Sequence, residues 1–265
     1  MIKAKKHLGQ NFLNSPKIAQ KIAQIPNISN DETVLEIGPG TGILTEQLLK
    51  THPNVLAIEK DKELIPILEE KFQKQIASKQ FQLLHRDILD WEPEFNQKYH
   101  IVANIPYYIT GALLKKFLTV KNQPNSITFL IQKEVAERIM AKNKKESILS
   151  ISIKVYGTPH IVMRVPARFF TPMPKVDSAV IYITDISRKN FEKLNEISFF
   201  KILKTGFKNK RKKLSSNLAG FDKKENIEKI LLALGKTTSV RAEELSVEDW
   251  LHISQKLSEK NQAWS

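Results

Sequence analysis

The residues Asn104-Ile105-Pro106-Tyr107 carry the clearest chemical signal in this chain. They follow an apolar, strand-like run, Ile101-Val102-Ala103. The amide oxygen of Asn104 can accept a hydrogen bond from an exocyclic amine, and Tyr107 offers a ring on which a base can stack, worth roughly 1–3 kcal/mol. Pro106 turns the chain out of a sheet, so the carbonyls near it can point into a pocket. The motif predicts a site for a flat base and its amine, although N-x-P-x is also common turn chemistry.

Three further candidates precede this motif, and each follows a predicted strand. Gly38, Gly40 and Gly42 form a G-x-G-x-G loop that lets the backbone approach a ligand closely. The spacing differs from that of dinucleotide binders, and a plain strand-to-helix turn is an equal alternative. Glu59, roughly 20 residues further on, is placed to bind ribose hydroxyls, and Asp87 could accept from an adenine amine. The alternatives are a solvated acid for Glu59 and a turn cap for Asp87.

Alternating strands and helices must position these residues. The predicted strands are 33–37, 55–58, 81–84, 100–103 and 127–131, with two late strands at 150–156 and 176–183 that can run antiparallel. The predicted helices are one opened by Asn14-Ser15-Pro16, then 43–50, 63–75, 113–118 and 135–140. The alternation predicts an α/β fold with a doubly wound, Rossmann-like, mostly parallel sheet. Ligands of such sheets bind at the carboxyl edge, where the glycine loop, the two acids and Asn104 are expected to meet.

The order of these four features is typical of an S-adenosylmethionine-dependent methyltransferase that acts on an amine. The pattern then changes after about Thr184, because only helical signals follow the linker 185–190. We predict a methyltransferase domain over 1–184 and a small all-α C-terminal domain over 185–265. The second domain contains the basic run Lys208–Lys213, and Ser246 to Asp249 predicts a capping box at the start of the last helix.

Composition narrows the class of partner. The net charge is +14 in 265 residues, which favours a polyanion, either nucleic acid or an anionic membrane surface. No run approaches the roughly 18 apolar residues of a membrane span, and no apolar signal core follows the basic N-terminus. We therefore expect a cytoplasmic protein that binds nucleic acid. The chain has 0 cysteines, which excludes disulfides, thiolate catalysis and cysteine-ligated metals, and no metal is expected.

With these motifs in place, the chain resembles, nearly end to end, the bacterial small-subunit ribosomal RNA adenine dimethyltransferases, the KsgA/RsmA/Dim1 group. The matching segments are Lys6–Leu13, Glu36–Gly42, Asn104–Tyr107, Phe170–Val180, Arg211–Leu214 and Arg241–Ser246. The resemblance implies methyl transfer from S-adenosyl-L-methionine to the exocyclic amines of two adjacent adenosines near the 3′ end of 16S rRNA. It also implies a monomer that acts on the small ribosomal subunit or its precursor, takes part in small-subunit maturation, and uses its C-terminal domain for RNA binding or ribosome docking.

The resemblance assigns cofactor contacts to particular residues. It implies that Asn11 and Leu13 contact S-adenosyl-L-methionine from the N-terminal segment, and that Gly38 lies against its methionine part. By the same resemblance, Glu59 holds the ribose of the cofactor and Asp87 its adenine.

The resemblance also implies which residues meet the target base. Asn104 would sit between cofactor and target, and Phe170 would be the aromatic wall opposite Tyr107. Without the resemblance, Phe170 would be taken as a core phenylalanine before a proline-rich loop. We take Tyr108 as a packing residue. The candidates for gripping RNA phosphates outside the C-terminal domain are Lys5, Lys6 and Arg168.

Three other interpretations stay open at this point. An Erm-type methyltransferase of large-subunit RNA shares Q-N-F and N-I-P-Y, but usually lacks the Gly38-Pro39-Gly40 form and the stretch Arg241–Ser246. A DNA adenine methyltransferase typically carries D-P-P-Y or N-P-P-Y, so Ile105 argues against it. An RNA-binding assembly or transcription factor could keep the fold without turnover, but the intact glycine loop, acids and N-I-P-Y motif argue against lost catalysis.

Overall fold

The protein is described by a computed structural model, which covers residues 4–5, 8–29, 31–51, 54–95, 97–143 and 145–262. Lys6, a predicted phosphate contact, lies outside these residues. The chain forms two compact units, one from Met1–Glu137 with Gly157–Ile186 and the other from Arg138–Tyr156 with Ser187–Ser265. The second unit therefore includes a segment, 138–156, that the sequence analysis assigned to the first domain.

The first unit contains the strands. They are β1 (Phe12–Leu13), β2 (Thr33–Ile37), β3 (Val55–Glu59), β4 (Phe81–His85), β5 (Tyr99–Asn104), β6 (Ser126–Gln132), β7 (Thr158–Val165), β8 (Phe170–Thr171) and β9 (Ser178–Thr184). The helices before residue 140 are α1 (Pro16–Ala23), α2 (Ile43–Thr51), α3 (Ile65–Lys71), α4 (Gln73–Ala77), α5 (Thr110–Thr119) and α6 (Lys133–Ile139). Every residue of β2 and β3 is buried, so both faces of the sheet are covered there.

Seven strands form one sheet in the order β4-β3-β2-β5-β6-β9-β7. The pairs from β4 to β6 are parallel, whereas β9 runs antiparallel to both of its neighbours. The predicted mostly parallel sheet with a late antiparallel strand is confirmed. This order brings the carboxyl ends of β2, β3, β4 and β5 to one edge.

The N-terminal segment is attached to the same unit by α1 and β1. The Ser15 hydroxyl caps α1 by accepting from the Ile18 N–H at 3.4 Å, and Pro16 occupies the first turn, as predicted. Ile22 of α1 is fully buried in a core that also contains Leu48 of α2, and burying one such side chain contributes roughly 1.5–3 kcal/mol. β1 pairs antiparallel with β8.

The predicted strand at 150–156 is wrong, because this segment forms helix α7 (Ile148–Lys154). Its alternating β-branched residues resemble a strand. The helix is nevertheless started by a reciprocal capping box, in which Ser147 Oγ accepts from the Ser150 N–H at 3.1 Å and Ser150 Oγ from the Ser147 N–H at 2.7 Å. The strand that completes the sheet is β7, which begins at Thr158 and tolerates Pro159 because it lies at the sheet edge.

The regular secondary structure in the described residues of the second unit is helical, in agreement with the predicted all-α domain. They contain α7 together with α8 (Glu196–Gly206), α9 (Leu214–Asn217), α10 (Lys224–Ala233) and α11 (Val247–Gln262). The Tyr156 hydroxyl after α7 donates to Glu196, and the Tyr156 ring contacts that of Phe191 with 5.2 Å between centroids. The predicted capping box of the last helix is confirmed, since the Asp249 N–H donates to Ser246 Oγ at 3.2 Å. Each helix in the described ranges falls short of the length or apolarity that crossing a membrane requires.

Candidate active site

A cavity lies at the carboxyl edge of the sheet, in the first unit. The predicted site residues that line it are Asn11, Leu13, Gly38, Glu59, Asp87, Asn104 and Tyr107. These residues come from five separate parts of the chain; four of them follow parallel strands, and the N-terminal segment is joined to them by a hydrogen bond from Asn104 to Asn11. Phe170 is the predicted site residue that does not line the cavity.

The glycine loop after β2 gives the cavity one backbone wall. Gly38 has φ +65°, and a Cβ atom placed on it would meet no atom within 4 Å, so the backbone there borders open space. Gly40 has φ +59°, and its Cβ would lie 2.9 Å from the ring of Phe12. The loop thus leaves room for a ligand at Gly38 and allows the N-terminal segment to pack closely at Gly40.

Glu59 at the end of β3 is tied to this loop. Its carboxylate accepts from the Gly40 N–H at 3.2 Å and from the Asp61 N–H at 2.8 Å. Burial raises the pKa of Glu59, and the two backbone donors oppose this rise. Glu59 is 6% exposed, so it is not the solvated acid of the alternative interpretation.

Glu36 is a second buried acid on the wall of the cavity, and it was not among the predicted site residues. It is 1% exposed, and neither carboxyl oxygen has a well-formed hydrogen bond among the described residues, although the hydroxyl and N–H of Thr45 lie nearby. Burial raises the pKa of Glu36 to about 8; the neighbouring Thr45 hydroxyl opposes this rise and the nearby charge of Glu59 adds to it. A buried carboxylate without partners is costly unless a cation or donor joins it.

Asp87 follows β4, and its contacts include the turn bond of the turn-cap alternative together with an ion pair. One carboxylate oxygen accepts from the Leu89 N–H at 2.9 Å, which is a local turn bond, and the other pairs with Lys60 Nζ at 2.6 Å. Burial raises the pKa of Asp87, but the bonds from Lys60 and Leu89 outweigh it and hold the pKa below its usual value. Asp87 is therefore a charged acceptor on the cavity wall.

Asn104 is the last residue of β5. Its side-chain amide is hydrogen-bonded through the nitrogen but not through the oxygen. Nδ2 donates to the main-chain carbonyl of Asn11 at 3.1 Å. No partner of Asn104 Oδ1 is found in the described part of the chain. An acceptor oxygen thus faces the cavity between the N-terminal segment and the motif 104–107.

The turn after Asn104 sets the remaining groups of the motif. The Pro106 carbonyl accepts from the Ile109 N–H at 3.2 Å, whereas no hydrogen bond to the Ile105 carbonyl is found within the described ranges. The Tyr107 hydroxyl lies 2.9 Å from Ser178 Oγ at the start of β9, which fixes the orientation of the ring. Burial raises the pKa of Tyr107, with Ser178 opposing it, so the phenol stays neutral.

Two aromatic residues differ from expectation in their surroundings. Phe170 is 3% exposed, pairs with Leu13 through β1 and β8, and belongs to the hydrophobic core. A place opposite Tyr107 stays a prediction for Phe170, and it requires that the target base reach this buried ring. Tyr108 is 62% exposed and lines the cavity, and its ring lies against Gly9, where an added Cβ would come within 3.1 Å, so its packing is confined to the N-terminal segment.

The residues predicted to contact RNA phosphates differ in whether protein carboxylates already pair with their charges. Lys5 is bound to Asp61 at 2.6 Å and to Glu63 at 2.9 Å, so protein carboxylates already compensate its charge. Arg168 is exposed, with its guanidinium 5.2 Å from the centroid of the Phe169 ring. Sequence reasoning missed Gln10, Glu36, Asp61 and Ser178. Two of them gave a usable signal: Glu36 is an acid directly before a glycine loop, and Gln10 is the first residue of the Q-N-F motif.

The sheet order, the glycine loop and the acids at successive strand ends define a Rossmann-like S-adenosylmethionine-dependent methyltransferase. The fold is similar to the crystal structure of the 23S rRNA methyltransferase ErmE, with a TM-score of 0.76 and 25% identity over 94% of this chain and 100% of that one. It is also similar to a dimethyladenosine transferase from Plasmodium falciparum, with a TM-score of 0.81 and 24% identity over 94% and 98% of the two chains. The sequence profile of the ribosomal RNA adenine dimethylases matches residues 1–259, and the chain belongs to this family.

Individual relatives agree with this membership. A protein of Dehalococcoides mccartyi named ribosomal RNA small subunit methyltransferase A is 42% identical over 94% of this chain and 87% of that protein. A protein of the same name from Fusobacterium nucleatum is 37% identical over 95% and 96% of the two chains. Members of this family use S-adenosyl-L-methionine as the methyl donor, which is the cofactor that the motif order predicted.

Proposed function

We propose that this protein dimethylates the exocyclic amines of two adjacent adenosines near the 3′ end of 16S rRNA, in the small ribosomal subunit or its precursor. We further propose that it acts as a monomer in the cytoplasm and takes part in small-subunit maturation. The names of the relatives at 37–42% identity support the small subunit as the target. The observation that carries the reaction type is the Asn104 amide, whose oxygen is directed into the cavity by its bond to Asn11.

The residues of the cavity fit a positively charged nucleoside cofactor. The Glu36 carboxyl is buried without a well-formed hydrogen bond among the described residues, and a cationic ligand beside it would offset the cost of ionising it there. The open space beside Gly38 admits the ligand next to backbone. We assign contacts with the methionine part to Gly38, with the ribose to Glu59 and with the adenine ring to Asp87, while Asn11 and Leu13 cover the ligand. When bound, S-adenosyl-L-methionine supplies an electrophilic methyl group on a sulfonium.

The target amine is a poor nucleophile because its lone pair is delocalised into the adenine ring. We assign its two N–H groups to Asn104 Oδ1 and to the Ile105 carbonyl. Pro106 is the weaker candidate, because its carbonyl already accepts from Ile109 at 3.2 Å. Two acceptors favour a pyramidal nitrogen whose lone pair points toward the methyl donor. This is catalysis by position and electrostatics, and the methylated amine can release its proton to water.

The adenine must leave its stack in the RNA to reach these acceptors. We assign the stacking platform to Tyr107, whose ring is held by Ser178 at 2.9 Å. Phe170 remains the proposed opposite wall. Because it is buried with Leu13 in the core, that role requires a rearrangement of β1 and β8 or an approach of the base along the ring edge.

The second unit offers a surface for the RNA backbone. All residues of the run Lys208–Lys213 are exposed, and no ion pair of the described residues involves them. We propose that these cations bind phosphates, so affinity for RNA falls steeply as salt rises. Arg168 of the first unit is the exposed cation that we propose for phosphates near the target.

The decisive experiment compares ribosomal RNA from a deletion strain with RNA from strains complemented by the normal protein or by the Asn104→Ala variant. Mass spectrometry should find the dimethyladenosine pair absent from 16S rRNA in the deletion strain, restored by the normal protein and not by the variant. Unchanged 16S rRNA together with loss of methylation in 23S rRNA would overturn the proposal in favour of an Erm-type enzyme. Unchanged methylation in both RNAs would favour an assembly factor without turnover.

A further inference from the structure

Asp61 is a buried acid that the proposed function leaves without a role. It follows β3, is 4% exposed and faces the N-terminal segment. Its Oδ1 accepts from Lys5 Nζ at 2.6 Å, and its Oδ2 accepts from Gln10 Nε2 at 2.9 Å. The Glu63 N–H donates to Oδ1 as well, at 3.1 Å. Burial raises the pKa of Asp61, but these donors outweigh it and keep the carboxylate charged.

Gln10 is held at both ends of its side-chain amide. While Nε2 donates to Asp61, Oε1 accepts from the main-chain N–H of Lys5 at 2.8 Å. Both bonds join parts of the chain that line or flank the cavity, since residues 8–13 form one of its walls. The amide therefore fixes the path of the backbone immediately before Asn11.

Asn11 lies between two attachments of the N-terminal segment, the side-chain amide of Gln10 and the pairing of β1 with β8. On its other side, Phe12 and Leu13 pair with β8, which sets the backbone after Asn11. The side chain of Asn11 donates to the Gly9 carbonyl at 3.2 Å. Its main-chain carbonyl accepts from Asn104 Nδ2 at 3.1 Å.

The carbonyl of Asn11 determines which way the Asn104 amide faces. A carbonyl can only accept, so it selects the NH₂ side of the amide and directs Oδ1 away from itself. The opposite rotamer would place two oxygens against each other and turn donors toward the incoming amine. A shift of the Asn11 carbonyl would therefore remove the acceptor that the reaction needs.

We propose that Asp61 and Gln10 are positioning residues for methyl transfer, because they hold Asn11 where its carbonyl orients the Asn104 amide. This inference rests on the proposed function, in which Asn104 Oδ1 accepts from the target amine. It assigns to Asp61, in the loop after β3, a part in the chemical step that is separate from the ribose contact proposed for Glu59.

The test uses the full-length protein, undermethylated small subunits and saturating S-adenosyl-L-methionine. Gln10→Glu places a carboxylate against Asp61 and should lower kcat about 10- to 100-fold, the loss expected when a reacting group is displaced by about 1 Å. Adding Asp61→Asn supplies an amide donor opposite the new carboxylate and should restore most of kcat. The double variant would not recover kcat if Gln10 only filled space in the N-terminal segment.

Glu63→Gln is the matched control. Glu63 also pairs with Lys5, at 2.9 Å, but its side chain is 67% exposed and makes no described contact with Gln10. The control should leave kcat, the Kd of S-adenosyl-L-methionine and the melting temperature unchanged. If Gln10→Glu raises only the Kd of the cofactor, or if the double variant fails to regain kcat, the positioning role is overturned. Activity retained by Asn104→Ala would instead overturn the proposed function.

Discussion

The two ends of the central parallel strands differ in how fully their polar side chains are hydrogen-bonded. At the amino end, His100 lies 2.8 Å from Ser126 Oγ and 3.1 Å from Glu32 Oε2, so these three side chains satisfy one another. At the carboxyl end, Glu36 has no well-formed hydrogen bond among the described residues, and the bond of the Asn104 amide to Asn11 uses its Nδ2 and leaves Oδ1 available. At this edge of the sheet, Glu36 and Asn104 therefore keep hydrogen-bonding capacity that a ligand could use, which the amino-end cluster does not.

The amino-end cluster shows how residue types can mislead. Ser126, His100 and Glu32 are the types found in a hydrolase triad, and they contact one another in that order. Ser126, however, is 2% exposed, so no substrate can reach its hydroxyl. The cluster joins the starts of β5 and β6 to the residue before β2, which is a structural role.

Among substitutions at the two ends of the strands, Asn104→Ala at the carboxyl end should cause the largest loss of kcat. It removes the acceptor for the target amine and should lower kcat about 10³-fold, the upper range for removing one preorganised polar group. Binding of S-adenosyl-L-methionine, measured by calorimetry, should be partly retained. Ser126→Ala is the control at the amino end and should leave kcat unchanged. An Asn104→Ala variant as active as the normal protein would remove the distinction between the ends.

Glu36→Gln tests the buried acid at the carboxyl end through the pH dependence of the free energy of unfolding. The pKa of Glu36 in the folded protein, about 8, lies above the ordinary glutamate value of 4.5, so the ionisation cost of Glu36 appears as pH rises through this window. Without cofactor, the variant should be more stable than the normal protein at pH 8 by roughly 2–4 kcal/mol, and the difference should vanish below about pH 4.5. Chemical unfolding at several pH values measures this. A constant difference across the window would contradict the assigned cause.

Glu32→Gln should give the opposite sign at the amino end. The Ser29 N–H at 2.9 Å, together with His100, holds the pKa of Glu32 below its usual value, although burial opposes this. Its stabilisation is present above about pH 4.5 and is lost as pH falls through the lowered pKa. At pH 7 the variant should lose about 1–2 kcal/mol of unfolding free energy, with kcat unchanged. A loss of activity without a loss of stability would show that the amino end also serves the reaction.

Tyr107→Phe should have the smallest effect. It removes the bond to Ser178 at 2.9 Å but keeps the ring, so we expect a loss of about 0.5–1.5 kcal/mol in stability and a change in kcat/KM of threefold or less. Ser178→Ala should behave alike, because it breaks the same bond from the other side. Steady-state methylation and thermal unfolding of both variants check this. A large and unequal loss of activity would show that the hydroxyl itself contacts the substrate.

Much of the fold followed from local signals. The caps at Ser15 and Ser246 lie where their residue types predicted helix starts, and the strands leading to Gly38, Glu59, Asp87 and Asn104 were all predicted. These elements are set by short-range hydrophobic patterns and cap chemistry, which a sequence displays directly. Their joint position at strand ends was sufficient to predict the cofactor.

The failures lie where tertiary contacts outweigh the local pattern. The alternating apolar residues of 150–156 favour a strand, but the Ser147–Ser150 capping box and packing in the second unit make the segment helical. The single predicted helix over 63–75 is interrupted at Phe72, whose φ of −113° and ψ of 22° are not helical. Phe72 instead packs edge-to-face on Phe81, with 5.3 Å between ring centroids.

The amino-acid sequence by itself determined the family, the cofactor and the residues that reach the carboxyl edge, because these depend on motif order and strand ends. Only the tertiary structure decided which polar groups at that edge remain unsatisfied. The bond from Asn104 to Asn11 joins residues 93 positions apart, and the contact between Gln10 and Asp61 spans 51 positions. Hydrogen-bond capacity left over after folding is a property of such distant pairs, and no local pattern of residue types contains it.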